Sequence, residues 1–165
     1  MAIGDLNGDG DPDLVVANST SNTVSVLLGD GDGAFGPGME FGTGSYPSAV
    51  AIGDLNADGK LDVAVTNEDS ATVSVLLGNG DGTFGARTDL GTGEHPNSVA
   101  IEDLNRDGKL DLAVANSSTP TVSVRLGNGA GTFGARRDFG TDVSTCSLAV
   151  GDVNGVGVPD LVVAG

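Results

Sequence analysis

Apolar positions fall in short runs in which Val, Leu, Ile and Ala alternate with Ser or Thr, and Gly, Asn and Asp bound each run. A period of two with β-branched residues predicts strands, and no stretch carries a helical period with caps. Around the middle of the chain the pattern predicts strand A over 48–53, B over 61–67, C over 72–78 and D over 86–91.

The same four runs recur. Asp5, Asp54, Asp103 and Asp152 open related segments, each 49 residues after the last, and GDGDGAFG at Gly29 returns as GNGDGTFG at Gly78 and GNGAGTFG at Gly127. Four antiparallel strands repeated every ~40–50 residues fit a propeller blade better than a sandwich, which rarely repeats its sequence. The predicted fold is all-β, with blades at 1–44, 45–93 and 94–142 and a half blade at 143–165. About three and a half blades do not close a ring, since propellers use about four to eight. Self-association into a homo-oligomer, or the remainder of a larger propeller, is therefore expected to cover the open blade faces. Antiparallel order puts the A–B and C–D loops on one face and the B–C and D–A loops on the other.

The A–B loop carries the chemistry. It reads D-x-N-x-D-G-x-x-D three times: Asp5, Asn7, Asp9 and Asp13; Asp54, Asn56, Asp58 and Asp62; Asp103, Asn105, Asp107 and Asp111. Calcium takes six to eight oxygens, and side chains at positions 1, 3, 5 and 9 with a carbonyl at position 7 supply them in one turn. The carbonyls would come from Asp11, Lys60 and Lys109, and the position-6 glycine permits the sharp bend. Neither His nor Cys takes part, so zinc is poorly suited, and magnesium prefers a smaller rigid octahedron. An Asx-rich turn that needs no ion is the plain alternative, and three copies at one spacing weigh against it. The fourth copy keeps Asp152, Asn154 and Asp160 but has Val156 at position 5, so weak or no binding is expected there.

The strings DLVVAN and TVSVLLGNGDGTFGAR with these loops resemble the FG-GAP/VCBS repeat family, whose blades are similar to integrin α-subunit propellers. The resemblance implies calcium in the A–B loop and extracellular or cell-surface binding and adhesion, or an accessory role in secreted enzymes.

Composition sharpens this in two ways. With 7 Lys plus Arg against 23 Asp plus Glu, the net charge of −16 argues against nucleic-acid or anionic-membrane partners. No apolar run approaches the ~20 residues of a membrane helix, and no basic-then-apolar leader follows Met1, which does not by itself argue for the cytosol. Phe35, Phe84 and Phe133 are expected to plug gaps between blades, and the Gly-rich strings around them to be tight C–D connections rather than second acidic sites. Tyr46, His95, Asn67, Glu68 and Asp69 are the candidate contacts for a protein or glycan ligand. Cys146, the one cysteine, falls beside a strand start and excludes an internal disulfide. The favoured reading is a non-enzymatic binding module with structural calcium. Its alternatives are the scaffold of a secreted polysaccharide-degrading enzyme, or a truncated or engineered array that completes its ring by self-association.

Overall fold

A computed structural model describes all 165 residues, and they form strands, turns and loops without a helix. Fourteen strands make three four-stranded antiparallel sheets and one two-stranded sheet, each in simple chain order. The first sheet holds β1 (Ala2–Gly4), β2 (Asp13–Asn18), β3 (Thr23–Leu27) and β4 (Met39–Gly42). The second holds β5 (Pro47–Gly53), β6 (Asp62–Asn67), β7 (Thr72–Leu76) and β8 (Thr88–Gly91). The third holds β9 (Pro96–Glu102), β10 (Asp111–Asn116), β11 (Thr121–Arg125) and β12 (Arg137–Gly140), and β13 (Ser147–Gly151) pairs with β14 (Asp160–Ala164). These are propeller blades. The first strands β1, β5, β9 and β13 contact one another in series, so the blades radiate from them.

Strand ends differ from the sequence pattern by one or two residues. Strand β7 stops at Leu76, after which only an isolated bridge between Gly78 and Phe84 and a bond from Gly85 N to Leu77 O (2.8 Å) continue the ladder. The Gly-rich string closes as a tight connection: Asp81 accepts from the Thr83 hydroxyl (2.6 Å) and amide (3.0 Å), bonds that hold its carboxyl below the usual carboxylate range.

The core lies between blades rather than within them. Leu6, Val15, Val24 and Val26 of the first sheet meet Val63, Val65 and Leu76 of the second, and Phe84 packs against this cluster, edge-on to Phe41 with ring centroids 5.0 Å apart. The next gap joins Leu55, Val73 and Val75 to Leu112 and Val114, with Phe133 against it. Each phenylalanine thus fills the gap on its own blade's preceding side. Phe35 has no preceding blade to meet and stays 43% exposed, which corrects the expectation for that one residue.

Burial follows position in the stack. All six residues of β6 and of β10 are buried, because a neighbouring sheet covers each face, whereas in β2 only Asp13 and Val15 are. Loop proximity is equally tight. A Cβ on Gly78 would lie 2.2 Å from the Leu61 carbonyl oxygen, so only glycine lets the C–D loop touch the end of the A–B loop there. The two loops share a face, as antiparallel order requires.

Candidate metal loops and the opposite face

Each A–B loop is shaped by its own side chains. In the first, Asp5 Oδ1 accepts from the amides of Gly8 (2.7 Å) and Asp9 (3.2 Å), and its Oδ2 accepts from Gly10 (2.9 Å). Asn7 Oδ1 accepts from Asp9 N (3.0 Å), and Asp9 Oδ1 from Asp11 N (2.9 Å). Asp and Asn favour such side-chain-to-backbone turns, which supply the bend without a regular ladder. The second loop repeats the scheme through Asp54, Asn56 and Asp58, and the third through Asp103, Asn105 and Asp107. In every copy the position-1 and position-3 oxygens lie on one and the same amide.

Position 4 is a left-handed site that the sequence reading passed over. Gly8 has φ 75°, yet Ala57 (58°) and Arg106 (64°) hold the same conformation with a Cβ. For a non-glycine residue that costs about 1–2 kcal/mol, which the surrounding Asx bonds must offset.

Position 9 does something different from positions 1, 3 and 5. Asp62 is fully buried; its Oδ2 accepts from Leu55 N (2.8 Å) and its Oδ1 from Gly78 N (2.7 Å), so one carboxylate ties the A–B loop to the C–D loop. Asp13 and Asp111 make the same pair of bonds, to Leu6 and Gly29 and to Leu104 and Gly127. Burial raises the pKa of Asp62 and Asp111, the two amides work against this, and the neighbouring carboxylates at positions 1 and 5 push it further up. In the second and third loops two carboxylates thus act on a buried third. The protein cations that pair with them are exposed: Lys60 Nζ at 3.8 Å from Asp58 and Lys109 Nζ at 4.0 Å from Asp107.

The donor set is chemically suited to a hard cation, being three carboxylates, an Asn amide oxygen and backbone carbonyls, with no nitrogen or sulfur ligand. The side chains are nonetheless turned onto loop amides, and nowhere in the molecule are three or more His, Cys, Asp or Glu gathered into a metal-holding group.

On the opposite face the D–A loops are clamped between B–C loops. Tyr46 N donates to Asn22 Oδ1 (2.8 Å) in the first sheet, while Tyr46 O accepts from Glu68 N (2.9 Å) in the second. Tyr46 and His95 occupy equivalent exposed sites, both with positive φ (57° and 52°). Glu68 is half-buried and Asp69 exposed.

Asn67 is a correction. It is fully buried, and its Nδ2 donates to Thr72 Oγ1 (3.0 Å) and Ser74 Oγ (2.8 Å), so it contacts no ligand from solvent. It belongs to a polar tie between blades. Ser74 Oγ also accepts from Gly44 N (3.2 Å) and donates to Asp89 (2.7 Å), and Asp89 pairs with Arg87 (3.0 Å), which donates to the Thr43 carbonyl. Asn116, Ser123, Asp138 and Arg136 build the same tie one blade on. Gly44 and Gly93 belong to it as well, since a Cβ on either would lie under 3 Å from the buried Asn amide. The signal was present in the sequence as Asn, Ser and Asp recurring at the repeat distance, but it does not distinguish a buried tie from exposed loop ends.

Residues 5–65, 54–114 and 103–163 each match the FG-GAP-like repeat family, every window opening on the first Asp of a loop and closing in the second strand of the next blade. The chain belongs to the FG-GAP-like repeat family. No curated protein matches it in sequence. Among solved structures, FG-GAP-like blades of this kind are similar to an Agrocybe aegerita lectin described as recognising non-reducing terminal N-acetylglucosamine, at 26% identity and a TM-score of 0.67 over 98% of this chain and 45% of that one. They also resemble BBS1N in complex with ARL6DN, at 16% identity and a TM-score of 0.63 over 99% of this chain and 49% of that one. A Photorhabdus luminescens Tc holotoxin pore chain matches at 23% identity and a TM-score of 0.57, over 98% of this chain and 8% of its own. The chain thus spans less than half the length of each of these three.

Proposed function

We propose that this FG-GAP-like segment is a non-enzymatic, extracellular binding module whose A–B loops take calcium and whose B–C and D–A loops present the ligand surface. The observation that carries the reading is threefold repetition of one oxygen-donor loop with a buried carboxylate at position 9 beside two like charges, a repulsion no buried protein cation offsets. Asp5, Asn7, Asp9, Asp13 and the Asp11 carbonyl would hold the first ion, with the equivalent sets at Asp54–Asp62 and Asp103–Asp111 holding two more. A bound cation supplies charge neutralisation and a cross-link inside the hairpin. The chain's own contribution is to carry that stiffness across the blade. Asp62 passes it to the C–D loop through Gly78, and the Asn67–Ser74–Asp89 tie holds the D–A loop that bears Tyr46.

Similarity to a lectin that recognises N-acetylglucosamine supports a glycan as the ligand class, and Tyr46 and His95 are the exposed rings best placed on that face. The charge of −16 favours such a ligand over a polyanion.

Calorimetry on chelator-treated protein tests the calcium reading: about three binding events are expected, with a rise in melting temperature. A site at 100 times its Kd adds ~2.7 kcal/mol. No heat and no thermal shift would defeat it. Retention on immobilised N-acetylglucosamine, lost on Tyr46→Ala with His95→Ala, tests the ligand class.

A further inference from the structure

The gap between the third blade and the half blade is an apolar groove of about 300 Å³, bordered by Leu104, Val124, Leu126, Phe139 and Leu161. The positions one repeat back are Leu55, Val75, Leu77, Leu90 and Leu112, and these pack with Phe133. Two repeats back they are Leu6, Val26, Leu28, Phe41 and Val63, and these pack with Phe84. The third groove is therefore the same seat without its phenylalanine. At the other end of the chain Phe35 is the same phenylalanine without a seat, 43% exposed.

The loop's anchoring bond shows the same pairing of lack and lack. Gly82 N donates to Leu6 O (3.2 Å) and Gly131 N to Leu55 O (3.1 Å), whereas the equivalent Gly33 N bonds to no backbone carbonyl. Charge agrees as well. A Cβ on Gly82 would lie 3.4 Å from Met39; two repeats on, Met39 becomes Arg137, and one repeat back Gly82 becomes Gly33, so the Phe35 loop would bring Gly33, with Asp32 next to it in the chain, to Arg137.

We propose that this groove seats the Phe35 loop of a second copy of the chain, through exchange of the β13–β14 hairpin for the β1–β2 hairpin. Strand β14 has an unpaired edge, and its residues Asp160–Ala164 read Asp-Leu-Val-Val-Ala, identical to Asp13–Ala17 of β2. It can therefore replace β2 against β3 of the second copy, which brings the β3–β4 hairpin and its Phe35 loop to the groove. The exchange covers Val153 (69% exposed) and Val162 (46%) while uncovering their equivalents Leu6 and Val15 on the displaced β1–β2 hairpin, so its net gain is the seating of Phe35 in the groove. Reciprocal exchange gives a closed two-fold ring with six C–D hairpins, within the about four to eight blades propellers use.

Native mass spectrometry of the full chain across micromolar concentrations tests this. Dimers are expected. Phe35→Glu and Phe139→Asp, both at exposed positions that leave the monomer folded by circular dichroism, should each weaken dimerisation by about tenfold or more. Mixing the two variants should restore a dimer through the one intact groove and knob. In the dimer, amide exchange should slow over residues 160–164 and quicken over residues 2–18. A chain that stays monomeric, a dimer that survives Phe35→Glu, or a dimer with residues 160–164 unprotected would overturn the proposal. So would a monomer whose groove instead binds a peptide of residues 121–140, which assigns the seat to a hairpin from outside this chain.

Discussion

Loop 54–62 and loop 152–160 fold alike around different charges. Asp152 accepts from the amides of Gly155 (2.7 Å), Val156 (3.1 Å) and Gly157 (2.7 Å), and Asn154 Oδ1 from Val156 N (3.1 Å). Asp54 and Asn56 accept from Asp58 and Gly59 in the same way. Yet position 5 is a carboxylate in one loop and an exposed valine in the other. The turn therefore owes its shape to positions 1, 3 and 6, and the position-5 charge is not needed for it. Three loops keep that charge despite its repulsion of two neighbours, which is the physical case for a cation there. The electrostatics differ in the same sense: amide bonds, Gly157 first, hold Asp152 below the usual carboxylate range, while burial pushes Asp62 up.

The largest contrast is expected at position 9. Asp62→Ala strands two buried amides of Leu55 and Gly78, at about 3 kcal/mol or more in urea unfolding. Asp160, half exposed and bonded to Val153 N and Asn154 Nδ2, should cost about 1 kcal/mol or less when changed to Ala. Equal costs would break the distinction between a tied and an untied loop. The next effect concerns the ion. Val156→Asp should add one calcium event by calorimetry and Asp58→Val remove one, while the melting temperature in chelator moves little for Asp58→Val, since Val156 shows that the turn tolerates it. A calcium count unchanged in both variants would leave position 5 without a role. The smallest effect sits at position 4. Ala57→Gly should stabilise by up to about 1 kcal/mol and Gly155→Ala destabilise by a similar amount, because both positions are left-handed (φ 58° and 74°).

Much of this was legible in the chain. The period of 49, the strand order and the loop positions followed from alternation and from Asp, Asn and Gly at fixed offsets. Those features act within a few residues, so sequence shows them directly. Asn67 was read as a surface contact because a B–C loop end looks exposed in one dimension. Only the approach of Gly44 from the preceding blade encloses it. The second partner of Asp62, Gly78 N, lies 16 residues away across the blade, and the repeat pattern alone did not point to it.

Strands β2 and β14 make the division plain, since both contain Asp-Leu-Val-Val-Ala. The sequence by itself determined that each becomes a strand after an Asx turn, because alternation and side-chain-to-amide bonds are local. The tertiary structure decided that Asp13 and Val15 are buried while Asp160 and Val162 are not. A strand's faces are covered only by the sheets that lie against it, and the five residues carry no information about which neighbours those are.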